Sequence, residues 1–220
     1  MITKKAAKIL IVDDHPLMRT GLRQLISDEP DFSVCGEADS VREAMQLLAD
    51  TSPDAAIVDL SLPDGSGLDL IKRIHARNSA TRILVVSMYD ELLFSERSLR
   101  AGAMGYISKQ EAPSKVIDAL RQVLDGKVYL SPQMTERMLR GVTGTKPKKA
   151  NESQLDSLSD RELEVFGLIG RGLSTAEIAG KLNLSIKTIE THRANIKKKL
   201  DLNTSNELIL QAMHWSIEQQ

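Results

Sequence analysis

The chain has 220 residues, enough for one large domain or two modest ones. It is 41% hydrophobic and 27% charged, ordinary for a soluble globular protein, and its net charge of −1 excludes a globally basic nucleic-acid binder, so any such role must rest on a local patch. Aromatic residues make up 3% and Cys35 is the single cysteine, which excludes aromatic ligand cages, an internal disulfide framework and cysteine-cluster zinc sites.

The opening stretch carries lysines, but the apolar run Ile9–Val12 stops at Asp13, too short for a signal peptide or a membrane span, and the expected compartment is the cytoplasm. Residues 8–13 read as a first buried strand, followed by Asp14, His15 and Pro16 and by a helical spacing of Leu17, Met18, Leu22, Leu25 and Ile26. Residues 32–37 are a second strand, and Ser40-Val41-Arg42-Glu43 is a capping box opening a helix to about Asp50. A third apolar run ends at Asp59, with a Pro63/Gly65 turn after it. Leu68, Leu70, Ile71 and Ile74 then mark one stripe of a helix. Residues 81–87 are a strand ending in the Ser87 hydroxyl, and residues 91–100 a helix. Residues 105–109 are a short strand ending in Lys109, and residues 113–124 an amphipathic helix.

Five strand–helix units in strict alternation predict an α/β domain over residues 1–125, a doubly wound five-stranded parallel sheet with helices on both faces. Right-handed crossovers bring every strand end to one edge, where ligands gather in such sheets. That edge collects Asp13, Asp14, Asp59, Ser87 and Lys109. Three carboxylates so close repel unless a cation joins them, and hard oxygen ligands suit Mg²⁺. The metal and Lys109 would neutralise an incoming phosphoryl group, Asp59 would accept it as nucleophile, and Ser87 would hydrogen-bond the resulting phosphate. His15 reads as a surface residue beside this site and not as a ligand.

Residues 126–153 hold a short helix from Ser131-Pro132 to about Leu139, then a polar, basic, Gly/Pro-punctuated linker. Residues 154–220 carry Ser159…Glu162, Ser174…Glu177 and Thr204…Glu207, three capping boxes that predict an all-helical domain. Its helices span about 160–170, 175–182, 186–200 and 205–217, and the break at Asn183-Leu184-Ser185 makes a helix-turn-helix pattern.

The pieces Val12-Asp13-Asp14-His15, Val58-Asp59-Leu60 with Pro63 and Gly65, Val85-Val86-Ser87 and Gly105-Tyr106-Ile107-Ser108-Lys109 resemble the receiver domain of two-component response regulators, which is flavodoxin-like. Leu158-Ser159-Asp160-Arg161-Glu162-Leu163-Glu164-Val165 and Leu184–His192 resemble the LuxR-type helix-turn-helix domain, and the order of the two resembles the NarL/FixJ family. The resemblance implies Asp59 as the phosphorylated residue, and Asp13, Asp14, Asp59 and the Ser61 carbonyl around Mg²⁺. It implies Lys109 on the phosphate, with Ser87 and Tyr106 as the switch pair. Met88 and Gln110 depart from the usual receiver pattern of a small residue after the switch hydroxyl and a proline after the lysine.

For the second domain the resemblance implies a recognition helix in the major groove of DNA. Lys187, Thr188, Glu190, Thr191, Arg193 and Ala194 would face the bases, with Lys187, His192 and Lys197 on phosphates. Lys198 and Lys199 are assigned to the negative end of the helix dipole. The last helix, with Leu208, Ile209, Ala212, Met213 and Trp215, packs on the core or pairs two subunits as a homodimer on DNA. The implied protein is not an enzyme but a transcription regulator, switched at Asp59 by a sensor histidine kinase. An aspartyl-phosphate hydrolase would need a second acid where Ser61 stands, and a small-molecule sensor would need another first domain. A regulator of the same architecture working without phosphorylation remains open.

Overall fold

The structure is a computed structural model that describes residues 6–78, 80–89, 91–142, 155 and 157–218. Residues 143–154, which hold most of the stretch read as a linker, lie outside the described residues. The chain divides into two compact units between Met138 and Leu139. Among the described residues, no helix is long and apolar enough to cross a membrane.

The first unit alternates strands and helices: β1 (Ala7–Val12), α1 (Pro16–Ser27), β2 (Phe32–Ala38), α2 (Val41–Thr51), β3 (Ala55–Val58), a two-residue-armed hairpin β4 (Ser61–Leu62) and β5 (Gly65–Ser66), α3 (Gly67–Arg77), β6 (Arg82–Ser87), α4 (Glu91–Ala101), β7 (Gly105–Ser108) and α5 (Ala112–Leu124), and α6 (Pro132–Val142) runs across the boundary between the units. The five long strands form one parallel sheet in the order β2-β1-β3-β6-β7. This is the flavodoxin-like order, with helices on both faces. β3 is central and buried throughout, so its sequence is a continuous apolar run with no alternation. Ile9, Ile11, Ile57, Leu84 and Val86 pack from one sheet face against Leu22 and Ile26 of α1 and Val116, Leu120 and Val123 of α5.

The expected helix starts recur, with one refinement at two of them, Ser40…Glu43 and Thr204…Glu207. Ser40 Oγ accepts from the Glu43 amide, but the Glu43 carboxylate accepts from Asp39 N and not from Ser40 N. The hairpin β4–β5 went unread in the sequence, because arms of two residues carry no periodicity. Residues 127–134 also pack on the first unit. Tyr106 N donates to Tyr129 O (3.0 Å) and Tyr129 N to Met104 O (2.9 Å), which lays a short bridge along the open edge of β7. Ser131 N donates to Glu91 Oε1 (3.0 Å), and Met134 is buried.

The second unit contains α7 (Asp160–Gly170), α8 (Thr175–Lys181), α9 (Ile186–Lys199) and α10 (Ser205–Glu218). Ser159/Glu162 and Ser174/Glu177 form complete capping boxes, and Ser185 Oγ accepts from Thr188 N at the start of α9. Thr204 Oγ1 accepts from the Glu207 amide (3.1 Å), while the Glu207 carboxylate reaches back to Asn203 N (2.8 Å). Between α8 and α9, Asn183 takes a left-handed conformation (φ 51°) that lets the chain turn sharply. Phe166, Ile178, Ile189, Ile196, Leu208 and Ala212 are buried and form the centre of the unit.

Candidate functional site

β1, β3, β6 and β7 lie side by side in the sheet, so their carboxyl ends deliver Asp13, Asp59, Ser87 and Lys109 to one edge. The main chain fixes each position by continuing the ladder one bond past the strand. Asp13 N donates to Ala38 O (3.0 Å), Asp59 N to Val12 O (2.8 Å) and Lys109 N to Ser87 O (2.9 Å). Asp13 and Asp59 are each 1% exposed and Lys109 6%. Lys109 Nζ donates to Asp59 Oδ2 at 2.7 Å and to Asp13 at 2.8–2.9 Å, so one ammonium serves two carboxylates.

The electrostatics follow from that count. Burial holds the Asp59 carboxyl above the ordinary carboxylate range, because the attraction of Lys109 is insufficient against burial and the repulsion of Asp13. For Lys109 burial works against the charged form, yet Asp59 and Asp13 together keep the ammonium above its ordinary value. Asp14 completes the group. Its Oδ1 lies 2.6 Å from His15 Nδ1, but the approach lacks hydrogen-bond geometry, and this buried oxygen has no hydrogen-bond donor among the described residues. One ligand atom from each of Asp13, Asp14, His15 and Asp59 falls within 4.8 Å of the others.

Ser61 N donates to Asp59 Oδ1 (3.2 Å). Ser87 is buried beside the cluster, and its Oγ accepts from Tyr89 N (3.3 Å). Tyr106 is 1% exposed, and its hydroxyl donates to Tyr89 O (2.7 Å). Met88 is half exposed, and every peptide bond among the described residues is trans, Lys109–Gln110 included.

Two neighbours of the acids were missed or underread in the sequence. Arg19 donates to the carbonyl of Asp13 (2.6 Å), and the spacing 13…19 gives it no signal as a site residue. His15, half exposed, brings Nδ1 to 3.3 Å from both Lys109 Nζ and Asp13 Oδ1.

In the second unit, Lys187, Glu190, Thr191 and Ala194 lie exposed on α9. Asn195 and Lys198 are exposed as well, and the positions 187, 191, 194, 195 and 198 share one helical stripe. Thr188 is half-buried, its Oγ1 held at 2.7 Å by Ser185 Oγ, and Thr191 Oγ1 donates to Lys187 O. His192, Arg193 and Lys197 are half-buried. Burial, and then the Arg161 guanidinium, hold the His192 imidazole below its ordinary value. Lys199 is occupied otherwise than by the dipole alone, since its ammonium lies 2.6 Å from Glu162 Oε2, which also accepts from Ser159 N.

Residues 9–121 match the response regulator receiver domain, and residues 156–212 match the luxR family of bacterial regulatory proteins. The oxygen regulatory protein NreC of Staphylococcus carnosus (strain TM300) is 37% identical over 209 residues, covering 94% of this chain and 96% of NreC. The chain belongs to the NarL/FixJ family of response regulators. Another NarL/FixJ relative, the response regulator UvrY of Escherichia coli (strain K12), is 32% identical over 200 residues, covering 91% of this chain and 90% of UvrY. Among solved structures, RcsB from Salmonella enterica serovar Typhimurium, bound to promoter rprA in the presence of the phosphomimetic BeF3-, matches with a TM-score of 0.65 and 27% identity. That match covers 95% of this chain and 99% of RcsB. As a NarL/FixJ member the chain is a two-component response regulator that regulates transcription, built from a receiver domain and a LuxR-type DNA-binding domain.

Proposed function

We propose that a sensor histidine kinase phosphorylates this regulator at Asp59 and that the phosphoryl group switches its binding to promoter DNA. The observation that carries the reading is a buried carboxylate at a central strand end, 2.7 Å from a lysine ammonium and beside two more acids. An Asp59 oxygen attacks the phosphorus of a phosphohistidine on the kinase. A P–O bond forms, the P–N bond breaks, and the electron pair returns to the imidazole with a proton.

Asp13, Asp14 and Asp59, with the Ser61 carbonyl, would hold Mg²⁺. The fit rests on an all-oxygen donor set among these residues and on the buried Asp14 Oδ1 that lacks a hydrogen-bond donor. Bound there, Mg²⁺ would screen the charge that develops on the phosphoryl oxygens. Lys109 exchanges one carboxylate contact for a phosphoryl oxygen. Ser87 gives its hydroxyl hydrogen to another, which turns it from its present partner, the Tyr89 amide. Because Tyr106 holds the carbonyl of that same Tyr89, a shift there is passed to α4 and to β7.

The output is carried by α9 in the major groove. Exposed Lys187, Glu190, Thr191 and Ala194 meet base edges, and Lys187, Arg193 and Lys197 add phosphate contacts; Thr188 and His192, half-buried, support the helix entry and flank. α10 buries Leu208 and Ala212 and leaves Leu210 and Met213 exposed, an apolar strip suited to pairing two copies as a homodimer on a two-fold site. The protein acts in the cytoplasm, where kinase and promoter meet.

The test is acetyl phosphate labelling of the purified chain with Mg²⁺, with the acyl phosphate mapped by borohydride reduction and peptide mass spectrometry. Label at Asp59 that disappears in Asp59→Ala supports the reading. Label elsewhere, or none in the presence of Mg²⁺, contradicts it.

A further inference from the structure

We infer that Asp64 is a positioning residue for the phosphoacceptor site, holding the hairpin that carries Ser61 against the amino-terminal end of α2. The inference rests on the Mg²⁺-dependent phosphoacceptor reading of Asp59. Asp64 sits at the tip of the β4–β5 hairpin, and its carboxylate takes two amides at once: Val41 N to Oδ1 (2.6 Å) and Arg42 N to Oδ2 (3.0 Å). These are the first two amides of α2, which have no partner within the helix. A carboxylate there also gains from the positive end of the helix dipole.

The hairpin is pinned at both ends. At its base Gly67 N donates to Leu60 O (3.0 Å), and a Cβ on Gly67 would lie 2.2 Å from the carbonyl oxygen of Asp59 itself. At its tip, beside Asp64, a Cβ on Gly65 would come within 3.1 Å of the Val41 side chain. Between these pins runs Ser61, paired to Ser66 across the hairpin and bonded through its amide to Asp59 Oδ1. The geometry therefore makes Asp64 the distal anchor of the segment that sets both the Asp59 carboxylate and the Ser61 main chain. Without that anchor the hairpin hinges at Gly67, and the oxygens around the cation lose their common orientation.

The test uses the full chain and Mg²⁺ alone, titrated while the backbone amides of Asp13, Asp59 and Ser61 are followed by NMR, with thermal melts in parallel. Asp64→Ala is expected to raise the Mg²⁺ Kd about tenfold, the size of effect seen when groups supporting metal ligands are removed. Asp64→Asn, whose Oδ1 still accepts from Val41 N, keeps most of the affinity. Ser40→Ala removes a different cap from the same helix and leaves Kd at the wild-type value. A wild-type Kd in Asp64→Ala overturns the inference. So does an equal loss in Ser40→Ala, which would assign the effect to fraying of α2. Wild-type protein whose site amides ignore Mg²⁺ would instead contradict the phosphoacceptor reading, and this inference with it.

Discussion

Gly67→Ala is the sharpest structural test of how the strand carrying Asp59 is held. The new Cβ would stand 2.2 Å from Asp59 O and 2.5 Å from Leu60 Cα, where ordinary contact begins at 3.4 Å. Both are main-chain atoms at the end of β3, and Asp59 is held in place by its bond to Val12 O. Relief must therefore come from α3, whose first turn has to retreat by about 1 Å. That breaks the bond from Gly67 N to Leu60 O and disturbs the Ser66 cap on Leu68 N. Overpacking costs about 1–3 kcal/mol and a lost hydrogen bond about 1 kcal/mol more. The first unit should lose about 2–4 kcal/mol, roughly 10 °C in Tm for a domain of this size. The aromatic residues separate the two units spectroscopically, because Tyr89, Tyr106 and Tyr129 lie in the first and Trp215 in the second. Tyrosine near-ultraviolet dichroism should move to lower denaturant while the Trp215 signal stays. Gly21→Ala is the matched control. It sits exposed in α1 with nothing within 4 Å of a Cβ, so it should stabilise by about 0.5–1 kcal/mol. Gly67→Ala that unfolds with wild-type stability, or Gly21→Ala that is destabilised as much as Gly67→Ala, would refute the reasoning.

Asp59→Asn should raise the stability of the metal-free first unit at neutral pH by about 0.5–2 kcal/mol, because it removes a charge that burial, and then Asp13, disfavour by more than Lys109 compensates. The sign follows from a carboxyl whose folded-state value is raised: the wild type binds its proton more tightly when folded and loses stability as pH climbs through that value, a loss that urea titrations of Asp59→Asn should lack. Tyr106→Phe deletes the hydroxyl that serves Tyr89 O and should cost about 1 kcal/mol, read by the same tyrosine dichroism. Glu162→Gln keeps the capping box but loses the charge opposite Lys199, and the Trp215-detected transition should fall by about 1 kcal/mol. Burial pushes the Glu162 carboxyl up, but Lys199 and the Ser159 amide hold it below the ordinary range. Its contribution is therefore complete above pH 4.5 and vanishes as pH drops through the lowered value.

The fold was legible because its signals are local. Four consecutive buried residues in β3, and the stripe of Leu68, Leu70, Ile71 and Ile74 in α3, follow from which faces are covered, and the serine caps mark where helices begin. The convergence of Asp13, Asp59, Ser87 and Lys109 followed from strand ends and crossover handedness alone. What escaped the sequence depends on tertiary contact. The reach of Arg19 to the Asp13 carbonyl and the grip of Asp64 on α2 join residues whose spacing carries no period. The path of residues 127–131 along β7 escaped because a single bridge at Tyr129 carries no alternation to read. On α9, the sequence offered basic residues by type, whereas the surface sorts them by direction: Lys199 turns to Glu162, while Asn195 and Lys198 join the exposed stripe.

The most direct measurement of the central claim is DNA binding by the full chain on a pool of genomic fragments, with and without Mg²⁺ and acetyl phosphate, with Asp59→Ala alongside. Tighter, fragment-selective binding is expected only for wild type treated with both. Equal binding in every lane would contradict control by Asp59 and would make this a regulator that acts through the same two domains without phosphorylation.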